Sequence, residues 1–361
     1  MENKWLNEAF KGEVPNGFQG KVGWASPSNI ALVKYWGKKG KQIPQNPSIS
    51  FTLSECRTET FIEYEKANRF GFSFFFEGKE NPAFGAKIEK FLLDNQAFFP
   101  FINQLNLKVE SRNTFPHSSG IASSASSMSA FVMCMLELER SLSPSKGRPI
   151  DMDFQKASYF SRLASGSAAR SVFPAMALWG KTEAYEGSSD EYAVSLADDI
   201  HPIFRTYHDS ILIVSGETKS VSSRAGHALM EGNPYASARY AQANENIKNL
   251  LAALKSGDLD TFINITESEA LQLHALMMCS NPSFILMKPN TLNLINEIQC
   301  FREETKIPVC FTLDAGPNVH LLYPEQEADK VEYYIKNVLA DYCDRERWTA
   351  DHVGDGPKKL L

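Results

Sequence analysis

The sequence predicts an α+β fold in two domains, and three observations carry that expectation. Strand signals crowd the first third, long helical patterns crowd the second half, and a strand–turn–strand unit stands among the late helices. The regular strand–helix alternation of a doubly wound parallel sheet is missing. With 361 residues, 43% of them hydrophobic, the chain has material for two cores of ordinary size. Gly187-Ser188-Ser189-Asp190 interrupts the pattern, so the boundary is expected within 185–205, giving domains 1–195 and 196–361.

Residues 1–20 read as a loosely ordered extension ending in Pro15-Asn16-Gly17. Stretches rich in β-branched and aromatic residues predict strands at about 21–25, 49–53, 57–65 and 70–76, the last meeting the turn Glu77-Gly78-Lys79. A helical pattern occupies about 85–97, and a strand near 105–112 leads through a Ser-rich segment into a long apolar helix, about 123–139. After the loop Ser143 to Pro149, a helix at about 151–164 precedes a second small-residue segment, Ser165 to Arg170. Ile211 to Val214 is a short buried strand, followed by helices at about 234–256, 258–278 and 289–304. The strand 309–313, the turn Asp314 to Asn318, the strand 319–323 and a helix near 326–341 complete the order.

Bulk properties exclude several functions. A formal charge of -6 argues against a nucleic-acid binder but permits a small basic pocket. The six cysteines include no CxxC pair and several sit in apolar runs, as reduced core thiols of a cytosolic protein do. The N-terminus has no basic-then-apolar leader, and no run approaches the roughly 20 apolar residues of a spanning helix. The expectation is a cytoplasmic protein with no membrane or nucleic-acid partner. The histidines show no HxH or HExxH spacing, so none is given a metal role.

Four clusters pair small hydroxyl residues with cations. In Phe115-Pro116-His117-Ser118-Ser119-Gly120-Ile121-Ala122-Ser123-Ser124-Ala125-Ser126, glycine and serines stand before a long helix, where backbone N–H groups and the dipole favour an anion. Taken alone, the segment equally describes a Ser-capped helix after a loop. Lys34 and Lys38 are four apart, which on a helix would aim both ammonium groups at one anion. Ser165 to Arg170 ends in a guanidinium with bidentate capacity for phosphate, and Lys219 to Arg224 repeats the pattern. Together they suggest a polyanionic small substrate beside a nucleotide. Asp314 ends a strand before Gly316-Pro317, a place where aspartate ordinarily caps the turn. Gly180-Lys181-Thr182 imitates a Walker A tail, but Ala175 stands where the first glycine belongs, so Lys181 and Thr182 are read as surface residues.

The order of these strings resembles one family. Asn29-Ile30-Ala31 through Lys34-Tyr35-Trp36-Gly37-Lys38, Ser48-Ile49-Ser50, Gly120 to Ala125, Ser165 to Arg170 and Asp314-Ala315-Gly316-Pro317-Asn318 are similar, collinearly over about 21–323, to the diphosphomevalonate decarboxylases of the GHMP-kinase superfamily. The resemblance implies a GHMP-kinase fold of two α+β domains with the site in the cleft between them, and a homodimer. It implies ATP as co-substrate with Mg²⁺, and mevalonate 5-diphosphate as the molecule phosphorylated on its 3-hydroxyl and decarboxylated to isopentenyl diphosphate. By that analogy Asp314 and Lys34 are catalytic. Tyr35, Trp36, Gly37, Lys38, Ser165, Gly166, Ser167, Ala168, Ala169, Arg170, Ser223 and Arg224 hold the diphosphate substrate. Gly120, Ser123 and Ser124 cradle ATP phosphates.

The chain departs from the family pattern at Ala169, where cysteine is frequent, and at His227, where methionine is. It departs again near residue 85, where the family tends to carry arginine and Lys87 is the nearest cation. The rival readings are a phosphomevalonate decarboxylase, a mevalonate kinase of the same fold, or a non-catalytic binding protein built on it.

Overall fold

The computed structural model describes residues 4–115, 121, 123–142, 152–217 and 223–361. The first half runs α1 (Lys4–Glu8), β1 (Gln19–Val33), a small hairpin of β2 (Lys38–Lys39) and β3 (Ile43–Pro44), and the long strand β4 (Ser48–Lys66). It continues through β5 (Gly71–Phe76), β6 (Lys79–Glu80), α2 (Pro82–Asp94), β7 (Leu105–Asn113), α3 (Ser123–Leu142), α4 (Phe154–Ala164), β8 (Met176–Trp179) and β9 (Ala193–Ser195). The second half contains β10 (His208–Leu212), α5 (Ser223–Ala228), α6 (Ala236–Ser256), α7 (Leu259–Met278) and α8 (Pro289–Thr305). It ends with β11 (Cys310–Thr312), β12 (Val319–Tyr323), α9 (Ala328–Asn337), β13 (Trp348–His352) and β14 (Lys358–Lys359).

Among the described residues these strands build an eight-stranded sheet in the order β14-β1-β4-β7-β5-β6, with β8 and β9 continuing from β4, and a four-stranded sheet ordered β11-β12-β10-β13. Trp24 of β1, Ile62 of β4 and the alternate residues Leu105, Leu107 and Val109 of β7 face α3 and α4 in one core. Alternation places those side chains on a single face of the sheet. A second core joins Ile30, Leu32 and Phe51 to Ile247, Leu250 and Phe262 of α6 and α7, so the far ends of β1 and β4 belong to the second half of the chain.

Two register shifts in the β1–β4 ladder position the site. Between Pro27 and Asn29 the β4 partner jumps from Arg57 to Thr52, so residues 53–56 leave the ladder. Their freed N–H groups are taken by the buried Asp351 carboxylate, which accepts from Ser54 at 2.8 Å, Glu55 at 2.8 Å and Cys56 at 2.7 Å. The second shift, between Ala31 opposite Ser50 and Val33 opposite Ile49, inserts Leu32 as an extra residue. A single inserted residue reverses which face follows. Lys34 therefore falls on the side of Asn29, Ser48 and Ser50, although it stands an odd number of positions, five, beyond Asn29.

Most expected elements are present, with shifted bounds. The strands expected at 49–53 and 57–65 are one strand, β4, interrupted where Asp351 intervenes. The helix expected at 326–341 is the shorter α9 flanked by 3₁₀ turns. The sequence reading did not include β8, β9, β13 or β14. The loop 143–149 and residues 116–120 and 122 of the Ser-rich segment lie outside the described residues. No helix among the described residues is long and apolar enough to cross a membrane.

Candidate active site

Lys34 follows the last residue of β1 and its side chain is almost wholly buried. Its Nζ lies 3.3 Å from Asp314 Oδ1, whose carboxylate is 29% exposed on the turn between β11 and β12. The ammonium is thus enclosed, and the carboxylate is the member of the pair partly open to solvent. Burial pushes the Lys34 pKa down, and the carboxylates of Asp314 and Glu269 oppose that shift.

The main chain of Lys34 is gripped on both sides. Its N–H donates to Glu269 Oε2 at 2.8 Å, while its carbonyl accepts from Asn46 Nδ2 at 3.0 Å and Arg239 Nη2 at 3.3 Å. Asp314 is held through its carbonyl, 3.1 Å from His274 Nε2, and that carbonyl also closes the turn by accepting from Gly316 at 2.7 Å.

Arg170 follows the 3₁₀ turn Gly166–Ala169 and is buried among neutral oxygens. Its Nε donates to Ser50 Oγ at 2.9 Å, Nη1 donates to Ser48 Oγ, and Nη2 reaches Asn29 Oδ1 at 3.3 Å. Asn29 is itself oriented by donating to Ser171 Oγ at 2.7 Å and to the Ser167 carbonyl at 3.2 Å. Burial lowers the Arg170 pKa to about 10, with Asp314 pulling the other way, so the guanidinium stays charged at neutral pH. Gly166 is needed for close approach: a Cβ there would come within 3.0 Å of both Tyr35 and Trp179. Ala168 and Ala169 are fully buried packing residues that present no side-chain surface to a ligand.

The segment between Lys34 and Lys38 is not helical, so the one-face argument for two ammonium groups fails. Gly37 adopts φ +85°, which turns the chain, and a Cβ there would meet the Tyr240 hydroxyl at 2.1 Å. Lys38 lies in β2 with Nζ 3.3 Å from Gln42 Oε1. Tyr35 packs on Trp179 at 4.6 Å and on His227 at 4.3 Å between ring centroids. Its hydroxyl is buried with no hydrogen-bond partner among the described residues. His227 also packs on buried Trp36 at 4.7 Å, and its Nδ1 accepts from the Gly37 N–H at 3.0 Å. Burial first, then the nearby Lys38 charge, pushes its pKa down to about 3, so the imidazole is neutral.

At the expected nucleotide end, Ser123 is half-buried and Ser124 exposed in the first turn of α3. The later serines are structural: Ser126 shares a 2.7 Å hydrogen bond with Thr58, and Ser129 a 2.6 Å one with Ser26. Ser28 Oγ donates to the Ile121 carbonyl at 2.7 Å, which brings the start of α3 beside Asn29 and the Arg170 nest. Gly120 lies outside the described residues, as do the side chains of Ser223 and Arg224, whose backbone opens α5. Lys87 is exposed over the Phe84 ring, and Lys181 is exposed as expected. Among the described residues no group of three His, Cys, Asp or Glu side chains could hold a metal ion.

The sequence reading did not give Asn29, Ser48 or Ser50 a site role, although Ser-Ile-Ser shows two hydroxyls on one strand face. It also missed Glu269, Arg239, His274 and Asn46. The one available signal was a pair of glutamates, Glu267 and Glu269, two positions apart in the helix expected at 258–278.

Known proteins are similar to this chain in sequence and fold. The family model for the diphosphomevalonate decarboxylase-like N-terminal domain matches residues 26–193, and that for the mevalonate 5-diphosphate decarboxylase C-terminal domain matches 210–358. The diphosphomevalonate decarboxylase of Gibberella zeae is 30% identical over 326 residues, covering 84% of this chain and 81% of the relative. That of Eremothecium gossypii is 30% identical over 329 residues, covering 84% and 78%. The crystal structure of mevalonate diphosphate decarboxylase from Staphylococcus aureus superposes with a TM-score of 0.79 at 25% identity, over 95% of this chain and 99% of that one. The Enterococcus faecalis enzyme, at 24% identity and a TM-score of 0.78 over 95% and 99%, shares the fold. With this two-domain α+β architecture and both domain matches in sequence order, the chain belongs to the diphosphomevalonate decarboxylase family.

Proposed function

We propose that this chain uses ATP to phosphorylate the 3-hydroxyl of mevalonate 5-diphosphate and then decarboxylates the product to isopentenyl diphosphate. The observation that carries the reading is the charge arrangement. Among the described residues two buried cations, Lys34 and Arg170, lie near the partly exposed carboxylate of Asp314, while Glu269 is offset by Arg239, a grouping that is net positive and suits a polyanion. Arg170 and the Tyr35 hydroxyl supply donors for the diphosphate, and Ser165, Ser167, Ser223 and Arg224 are the other residues assigned to it by the family resemblance. Ser123, Ser124 and Gly120 take the ATP phosphates at the α3 N-terminus. Mg²⁺ bound to the nucleotide would neutralise phosphate charge.

Asp314 takes the proton of the tertiary hydroxyl as that oxygen attacks the γ-phosphorus and ADP leaves, and then passes the proton to solvent, which restores its carboxylate. The C3–O bond to the new phosphate then breaks heterolytically. The electron pair of the C–CO₂ bond forms the alkene, and the Asp314 carboxylate stabilises the cation developing at C3. Anchoring the distant diphosphate holds C3 in register with the pair. The domains meet near residues 195–196, and the protein is a cytoplasmic homodimer.

Supplying ATP and Mg²⁺ with mevalonate, its 5-phosphate or its 5-diphosphate tests the reading. The expected result is ADP, phosphate and CO₂ in equal amounts from the diphosphate. ADP without CO₂ would make the protein a kinase, CO₂ from the monophosphate alone would change the substrate, and binding without ADP would remove the enzyme reading.

A further inference from the structure

The helix α7 carries three buried anchors that converge on the catalytic pair from one rigid element. Glu267 accepts from the Phe311 N–H at 3.3 Å and is locked by Arg302 at 2.6 and 3.1 Å, which fixes the strand leading to Asp314. His274 holds the Asp314 carbonyl. Between them Glu269, with no exposed surface, holds the N–H of Lys34. Its other bonds come from α6: Arg239 Nη2 at 2.5 Å and Asn246 Nδ2 at 2.6 Å. Arg239 returns to the Lys34 carbonyl, so one carboxylate–guanidinium pair grips the N–H and the C=O of a single residue, one from each of two adjacent peptide units.

We propose that Glu269 is a positioning residue for the reaction, setting the Lys34 ammonium against Asp314 by holding the Lys34 main chain to α7. The inference rests on the functional reading above and deepens it, since neither domain match nor family resemblance gives this residue a role. Its physical basis is that Lys34 and Asp314 arrive on separate strands of separate sheets. Without a common support their separation would vary with every movement between the two halves. A helix fixes spacing along its axis at about 1.5 Å per residue, so anchors at 269 and 274 define one distance.

The carboxylate also acts on charge. The ionic groups around Lys34 are Asp314 on the β11–β12 turn, Glu269 on α7, Arg239 on α6, Arg170 after the 3₁₀ turn, and Asp209 on β10. Glu269 supports the ammonium form against burial, so removing its charge lowers the Lys34 pKa further. An enzyme that needs Lys34 protonated then loses activity at lower pH.

The test compares Glu269→Gln, which keeps an acceptor but not the charge, with Glu269→Asp, which keeps the charge on a shorter reach. For Glu269→Gln the expected result is a kcat lower by about 10-fold or more, KM within about 2-fold, and the alkaline limb of the kcat–pH profile moved to lower pH. For Glu269→Asp it is a kcat reduced about 3- to 10-fold with the alkaline limb where the wild type has it. Wild-type kcat and alkaline limb in Glu269→Gln would overturn the proposal. So would kcat and KM that change only in step with a lowered melting temperature. If Glu269→Gln leaves Arg239 unpaired and does not fold, Glu269→Asp decides, and wild-type turnover in that variant overturns the proposal. A wild-type chain that releases no CO₂ fails the functional reading and this inference together, whereas an active wild type with an indistinguishable variant removes Glu269 alone.

Discussion

Arg170 and Lys34 are buried cations on the same side of the β1–β4 ladder, yet their partners differ in kind. Arg170 sits among the neutral oxygens of Asn29, Ser48 and Ser50, with no carboxylate at ion-pair distance among the described residues. Lys34 faces Asp314 at 3.3 Å, and a second carboxylate grips its main chain. Neutral acceptors locate a guanidinium without cancelling its charge, so Arg170 keeps a full positive charge for a phosphate. Lys34 spends its charge on orienting a carboxylate. Under the proposed function, one buried cation binds and the other positions.

The largest effect is expected on the Lys34 side. Asp314→Asn keeps the size of the side chain at the turn but removes its charge and basicity. Turnover should fall by about 10²–10⁴, with KM within a few-fold. Steady-state kinetics showing turnover near wild type would erase the distinction between the two cations.

Arg170→Lys comes next. A lysine cannot serve Asn29, Ser48 and Ser50 together, and it meets phosphate as a point charge. Loss of charge-assisted contacts worth about 1.5–3 kcal/mol should raise the KM for the diphosphate substrate about 10- to 100-fold. The fall in kcat should be much smaller than in Asp314→Asn. A kcat loss without a KM change would make Arg170 part of the reacting end.

Ser124→Ala sharpens the comparison by sparing both cations. Loss of one hydrogen bond of about 1 kcal/mol should raise the KM for ATP roughly 5-fold and leave the other substrate alone. Isothermal titration with each ligand separates the outcomes, and weakened diphosphate binding would reassign the α3 start.

The smallest effect is a stability shift. His227 is held neutral in the fold with a pKa of about 3, while the unfolded imidazole protonates near its ordinary 6.5. The unfolded chain thus binds the extra proton, and stability present above pH 6.5 is lost as pH falls toward 3. His227→Met should remove that loss, about 1–2 kcal/mol between pH 7 and 5, seen as about 2–4 °C less decline in melting temperature. Equal declines in both proteins would show that the ring is not held neutral.

The parts of this molecule readable from the sequence are those whose information is local. Arg170, Asp314 and Lys34 stand in short strings of distinctive residues, and α3, α6, α7 and α8 announce themselves by periodicity. The break between strands 49–53 and 57–65 was also visible, but not its cause, because the carboxylate that resolves it is Asp351. Glu269 was out of reach for the same reason, since its bond to Lys34 spans 235 positions. The spacing of Lys34 and Lys38 misled because helical geometry was applied to an extended segment turned by Gly37.

The extra residue Leu32 has a consequence for how this stretch of gene can change. A strand encodes its facing by parity, so exchanging Ile30 or Leu32 for another apolar residue alters packing by increments. Losing or gaining one codon between Asn29 and Lys34 instead turns the lysine to the opposite side of the ladder in a single step. The apolar letters of the segment can be exchanged at the cost of packing alone, but its length sets the side on which the lysine lies.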